Sequence, residues 1–271
     1  KNTDKLLRTS VENSKNDLMS KYGYETKKTG FSFGTSFEQY QDIFFSPEIT
    51  TFFESLETDS TASSLRKKQE GDYFDTNFTY SLALNKLNQN FQPSDGYRSS
   101  FSQTLPLIAD DKSIYNSFEF SKYNKLGNET IISVSTLLQA VKASEGDVRV
   151  SKRIFIPSRK LRGFVSGRVG PKDKADYIGG NYGASFNVAA TLPKLFVDLQ
   201  NVDFSLFLDS ANLWGVDYDS ELDKSKLRSS TGLAIDWFTP IGPMSFSFAK
   251  PITKANTDET ETFRFKIGTT F

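Results

Sequence analysis

The sequence predicts an all-β chain, an antiparallel transmembrane β-barrel, on three observations. Segment after segment alternates polar and apolar residues one for one, the period of a strand and not of a helix. The apolar positions are aromatic, with 25 Phe and 11 Tyr, although only 37% of the residues are hydrophobic. Long and short connections also alternate between the segments, as they do between barrel strands. No stretch approaches the roughly 18 to 20 apolar residues of a membrane helix, which leaves strands as the means of crossing. A soluble solenoid or large sandwich shows similar alternation, but it hides Val, Ile and Leu behind a polar exterior. Here one face is Phe, Tyr and Leu.

The opening, Lys5 to Asn16, fits either period, and its neighbours favour a strand. From Gly30, Phe31, Phe33, Thr35 and Phe37 alternate with Ser32, Gly34, Ser36 and Glu38. Ile43, Phe45, Ile49, Thr51 and Phe53 oppose Ser46, Glu48, Thr50 and Glu54, and Pro47 predicts an edge or a local irregularity. Asp59 to Gly71, with Arg66, Lys67 and Lys68, reads as an exposed loop with room for one helical turn. Phe74, Thr76, Phe78, Tyr80, Leu82 and Leu84 then face away from Asp75, Asn77, Thr79 and Ser81. Pro93-Ser94-Asp95-Gly96 supplies a turn. Strands follow at Tyr97–Leu105, at Ile114–Phe120 and, after a Gly127-Asn128 turn, at Ile132–Ala140, which ends before Ser144-Glu145-Gly146-Asp147.

The period is lost for roughly two dozen residues around Leu161-Arg162-Gly163-Phe164 and as far as Gly179-Gly180-Asn181, too many for an ordinary hairpin. It returns at Ala184–Ala190, Val202–Leu208 and Gly232–Trp237. After the Pro240-Ile241-Gly242-Pro243 turn come Met244–Phe248 and finally Phe263–Gly268, with Gly268 inside the last strand. That makes about twelve strands near the ten-residue length that a tilted strand needs to cross a bilayer. Their backbone groups must all be paired within hydrocarbon, so the set closes into a barrel or belongs to a larger one.

Charge and composition remove several functions. The 33 basic and 33 acidic side chains cancel, which gives no sign of a nucleic-acid partner. Without cysteine or histidine there is no disulfide, no thiolate or imidazole metal site, and no Ser-His-Asp or Cys-His catalysis. Carboxylate chemistry remains formally open, but no acid pair stands out, so neither an enzyme nor a cofactor is expected. The chain begins at Lys1 with no charged and apolar leader, and is expected to be a fragment whose beginning is missing.

Four motifs resemble the BamA family of outer-membrane barrel assembly proteins. They are Asn85-Lys86-Leu87 with Pro93-Ser94-Asp95-Gly96; the Arg162-Gly163-Phe164 loop with Gly179-Gly180-Asn181; and Phe207-Leu208-Asp209 to Trp214, continuing through Gly232 and Trp237 to Pro251. The fourth is the ending, Phe263-Arg264-Phe265-Lys266-Ile267-Gly268-Thr269-Thr270-Phe271. The resemblance implies the C-terminal twelve or so strands of a sixteen-stranded outer-membrane barrel spanning residues 1–271, with the first strands and the periplasmic POTRA domains absent.

It further implies a loop folded into the lumen, Arg162 held by Asp209, and Phe164 as a lumenal anchor. The second family acid aligns with Ala189, which leaves Asn187 or another inward acid to contribute. Phe263, Phe265, Ile267 and Phe271 match the assembly signal of outer-membrane barrels, and Gly268 the kink of a lateral gate between last and first strands. The implied activity is insertion of unfolded outer-membrane proteins, with outer-membrane lipids and accessory lipoproteins as further partners. TamA-like and two-partner-secretion barrels share this loop, and a passive porin is a third alternative.

Overall fold

The computed structural model describes residues 5–90, 92–127, 130–192, 201–223, 225–240 and 242–268. The chain runs β1 (Leu6–Asp17), α1 (Met19–Tyr22), β2 (Tyr24–Tyr40), β3 (Ile43–Thr58), α2 (Ser64–Lys67), β4 (Gly71–Asn85), β5 (Gly96–Ala109), β6 (Ser113–Leu126) and β7 (Thr130–Ala143). A short ribbon follows, β8 (Lys172–Asp173) with β9 (Asp176–Tyr177). Then come β10 (Tyr182–Thr191), β11 (Val202–Trp214), β12 (Arg228–Thr239), β13 (Gly242–Thr253) and β14 (Phe263–Ile267). All strands but β8 and β9 form one twelve-stranded antiparallel sheet in chain order, with β10 beside β7. Every strand read from the periodicity is present, including the ambiguous first one.

The two faces separate as the alternation requires. Phe31, Phe33, Phe53, Phe186, Leu206, Leu208, Phe248 and Phe263 are exposed on the outer face, while Ser32, Asn77, Ser121, Asn187, Ser205 and Ser247 are buried on the inner one. Aromatic pairs bridge adjacent strands on the outside, among them Phe53–Phe74 at 4.8 Å and Phe246–Phe265 at 4.8 Å between ring centroids. Pro47 interrupts the β2–β3 ladder between the Gly34–Glu48 and Phe37–Phe45 pairs, as expected of a residue with no N–H to donate.

The inner face is not wet throughout. Phe52, Leu56, Leu137, Val141, Phe207, Ala211 and Leu213 point inward and are buried. The connection between β7 and β10 also outruns the aperiodic stretch, since it occupies all of 144–181. It folds back onto the concave face, where Val148, Ile154, Ile156, Leu161, Phe164 and Val169 pack on Val141, Ala211 and Leu213. Wall positions take apolar residues where the apolar side chains of the loop meet them.

A second correction concerns 59–71. The helical turn is there as α2, capped by Ser63, but Arg66 is only 1% exposed. Its guanidinium donates to Asp176 Oδ2 at 2.6 Å and to the carbonyls of Tyr22 and Gly23 at 2.7 and 3.1 Å. It ties the β3–β4 connection to the long loop.

The lumenal loop and its receptor row

The register of four strands builds the site. Ser135 on β7 lies opposite Asn187 on β10, Asn187 opposite Asp209 on β11, and Asp209 opposite Ser230 on β12. These four polar side chains thus form one row across the inner wall, because neighbours across an antiparallel ladder share a face. The loop lays Lys160-Leu161-Arg162 along this row. Arg162 donates Nε to Asp209 Oδ2 and Nη2 to Asp209 Oδ1, both at 2.8 Å, and its backbone N–H reaches Oδ2 at 3.0 Å. Asn187 Nδ2 donates to Asp209 Oδ1 at 3.0 Å and to the Lys160 carbonyl at 2.8 Å. Ser230 Oγ donates to the Arg162 carbonyl at 2.5 Å.

Asp209 is wholly buried, so its charge is sustained by the two-pronged guanidinium and two further N–H donors, not by water. The guanidinium carbon also stands 3.5 Å from the centre of the Phe207 ring, a cation–π contact from the same strand. Gly232, opposite Phe207, makes room for that ring: a Cβ there would lie 2.8 Å from the Phe207 ring tip and 2.0 Å from the Phe248 carbonyl oxygen. Ala189 adjoins the small apolar group of Phe207, Ala234 and Ala249 and offers Arg162 no charge. Asn187 occupies the polar position beside the pair, acting through Asp209.

Gly163 adopts φ 86°, and a Cβ there would meet Ala249 Cβ at 3.0 Å. Gly163→Ala is therefore expected to cost about 1–3 kcal/mol, read as a lower urea midpoint of unfolding in detergent. Phe164, 1% exposed, sits in the loop's apolar core and pairs across a β-bridge with Thr260. The Gly163 carbonyl accepts from Glu261 N–H at 3.1 Å, and Val165 N–H donates to the Glu259 carbonyl at 2.9 Å. Arg264 on β14 donates to the Phe164 carbonyl and, at 2.6 Å, to that of Ser158. The Arg-Gly-Phe segment is thus stitched to the chain entering the last strand.

Within that strand Phe263, Phe265 and Ile267 face outward at 50%, 42% and 61% exposure, while Arg264 and Lys266 face the loop. Gly268 lies just past the regular strand and not inside it, at φ 125° with its N–H bonded to the Pro243 carbonyl at 3.0 Å. Phe271 lies outside the described residues.

Gly179-Gly180-Asn181 closes the loop. Gly179 takes φ 71°, and a Cβ on Gly180 would stand 2.5 Å from the Trp214 carbonyl oxygen. Asn181 Nδ2 donates to Asp217 Oδ2 at 2.9 Å, beside the Val148 N–H at 2.7 Å and an ion pair with Arg153. Burial alone would lift the Asp217 carboxyl, but Arg153 and these donors outweigh it and hold it below the usual carboxylate range. A depressed folded-state value means that this stabilisation is present above about pH 3.9, the ordinary Asp value, and fades as pH falls through the lower folded one. Trp214 emission, recorded with Trp237 replaced by Phe, is expected to hold steady from pH 7 to about pH 4 and change below it.

Sequence reasoning missed the loop's other anchor. Arg149 Nη2 lies 3.0 Å from Glu54 and also contacts Asp75, with its guanidinium 4.0 Å from the Tyr73 ring centre. Lys152 Nζ stands 3.0 Å from Asp75 and 3.4 Å from Asp111. Arg149 is 2% exposed and Asp75 0%, so this contact is sealed, while the Lys152 side chain stays 19% exposed. The available signal was the inward alternation of Glu54 and Asp75; nothing local names their partners.

An inward-folded loop carrying Arg-Gly-Phe, docked inside a curved antiparallel sheet with an aromatic exterior, defines a class of outer-membrane β-barrel. The model of the Omp85 superfamily domain matches residues 2–271, and the chain belongs to that superfamily of outer-membrane barrel proteins. It is 33% identical over 139 residues to the outer membrane protein assembly factor BamA of Neisseria meningitidis serogroup B, covering 41% of this chain and 17% of that protein. It is 27% identical over 230 residues to BamA of Neorickettsia risticii, covering 82% and 31%.

The chain thus spans less than a third of the length of these curated relatives. Its fold matches the crystal structure of Haemophilus ducreyi BamA lacking POTRA domains 1-3, with TM-score 0.86 and 23% identity over 96% of this chain and 60% of that one. CdiB from Acinetobacter baumannii matches less well, with TM-score 0.55 and 10% identity over 96% and 45%.

Proposed function

We propose that this protein folds and inserts β-barrel proteins into the outer membrane, with no enzymatic step and no cofactor. Residues 1–271 form the C-terminal portion of its barrel on this reading, and the POTRA domains that engage accessory lipoproteins belong elsewhere in the protein. The observation that carries the reading is the docking of Arg162-Gly163-Phe164 on the Asn187–Asp209–Ser230 row together with its hydrogen bonds to the approach of β14. A loop that does both sets the position of the last strand from inside the lumen. The assembly-factor names of the relatives and the higher structural similarity to BamA than to CdiB support the same reading.

In the mechanism, the seam between the first and last strands of the barrel opens laterally. Unpaired N–H and C=O groups there accept a client strand by β-augmentation. Phe263, Phe265 and Ile267 meet lipid, and Gly268, at a φ that favours glycine, lets the end of β14 kink inward and away from the first strand of the barrel. Client hydrogen bonding and burial in lipid drive the reaction.

The test is reconstitution of the protein in liposomes and measurement of how fast a urea-unfolded outer-membrane barrel becomes protease-resistant. Insertion faster than into empty liposomes is expected. A protein that conducts ions but leaves insertion at the empty-liposome rate would be a passive pore, and the proposal would be wrong.

A further inference from the structure

Beside the docked loop the concave face borders a half-open cavity of about 370 Å³, with Arg98 and Arg159 exposed at its edge. Six cations line it: Arg98 from β5, Arg159, Lys160 and Arg162 from the loop, and Arg264 and Lys266 from β14. Three are neutralised by named partners. Lys160 pairs with Glu119 at 2.9 Å, Arg162 with Asp209 at 2.8 Å, and Arg264 with Glu261. Arg98 and Arg159 have no ion-pair partner among the described residues; their charges reach Glu119, which Lys160 already holds. Lys266 spends its ammonium on a neutral group, Ser158 Oγ at 2.7 Å, and stands among the like charges of Arg264, Arg159 and Arg162, with Glu261, already paired to Arg264, as the nearby acid. Among the described residues the one remaining carboxylate on the lining is Asp236.

Three cations against one carboxylate leave an excess of two positive charges, arriving from β5, from the loop and from β14. We infer that this cavity is a binding site for a phosphate-type oxyanion, held by Arg98, Arg159 and Lys266. Like charges gathered around one cleft concentrate counter-ions in it. Guanidinium forks match the oxygens of a phosphate, and an ammonium serves as a point charge beside them. A planar carboxylate would satisfy one guanidinium; donors on three sides suit a tetrahedral anion. The hydroxyls of Ser121, Ser205, Ser245 and Ser247 on the same lining supply neutral donors. The anion would be free phosphate or diphosphate from the aqueous side, or the headgroup of a phosphate-bearing lipid. Because Arg159 belongs to the loop and Lys266 to β14, its occupancy would draw these two elements together.

The experiment is calorimetric titration of the protein, in neutral maltoside micelles, with pyrophosphate. Saturable binding tighter than about 1 mM is expected. The Arg98→Gln/Arg159→Gln double variant, whose changed side chains have no partner to lose, is expected to bind at least about tenfold more weakly. Lys112→Gln, on the turn between β5 and β6, should bind as the parent does. Adding phosphatidic acid to the micelles distinguishes the sources: competition with pyrophosphate supports a lipid headgroup, and its absence supports a free anion. No saturable binding, or equal binding by parent and double variant while both keep the mobility of a folded barrel on unheated gels, would overturn the site. Binding is read directly, so failure here is distinct from failure of the assembly reading.

Discussion

Replacing Asp209 by Ala is expected to free the loop from the barrel wall. The carboxylate is 0% exposed and accepts from the Arg162 side chain, the Arg162 backbone and Asn187 at once. Removing it strands a guanidinium against Phe207 and leaves two N–H donors unanswered. Breaking a buried pair from one side costs about 3–5 kcal/mol, and the low end is expected here because the Arg162 side chain is 20% exposed and regains some water. Arg162→Ala should be at least as harmful, since it leaves the anion in the dry wall with only Asn187 and one backbone donor. The double variant should lose less than the sum of the single losses, by roughly 1–3 kcal/mol, because the second change removes a charge already orphaned. Arg162→Lys should rescue little, as an ammonium cannot span both carboxylate oxygens. Urea midpoints measure the stability cycle, and barrel assembly in cells depleted of the native protein measures the function. Strictly additive losses would show that the two residues act separately.

The second large effect is expected at the opposite wall. Asp75→Ala leaves Arg149 and Lys152, 2% and 19% exposed at the side chain, sharing Glu54 and Asp111. The cost expected is about 1–3 kcal/mol, that of buried donors losing their nearest acceptor, since Arg149 keeps Glu54 and Lys152 keeps Asp111. Its signature differs from that at Asp209, because the affected residues lie at the start of the loop and are tryptic sites. Arg149, sealed in the parent, and Lys152, held there by Asp75 and Asp111, should be cut by trypsin in micelles of the variant well before the strands are. Unchanged resistance there would mean that the apolar cluster around Phe164 and Val148 holds the loop without the ionic one. Together the two anchors account for a segment of mixed composition remaining inside the sheet: each end is pinned by charge, and the middle is dry.

Much of this architecture is legible along the chain. One-for-one alternation at Phe74 to Leu84 or Met244 to Phe248 says which side chains face lipid, because direction in a strand is settled by adjacent residues alone. The same reasoning fails at Arg66 and Arg149. Arg66 reads as an exposed loop cation and Arg149 carries no local signal, yet each is buried against an acid far along the sequence, Asp176 for Arg66 and Asp75, 74 residues away, for Arg149. It fails again at Val141, Ala211 and Leu213, apolar residues on the nominally wet face. Their partners come from the loop, whose path carries no period of its own.

By itself, then, the sequence determined the strands, their number, their greasy and wet faces, and the acids and arginines available for pairing. Local sterics and the two-residue repeat suffice for that. Which arginine meets which acid was decided only in three dimensions. The row from Ser135 through Asn187 and Asp209 to Ser230 exists because three ladders align in register, and register is a property of strands brought together, not of any strand alone.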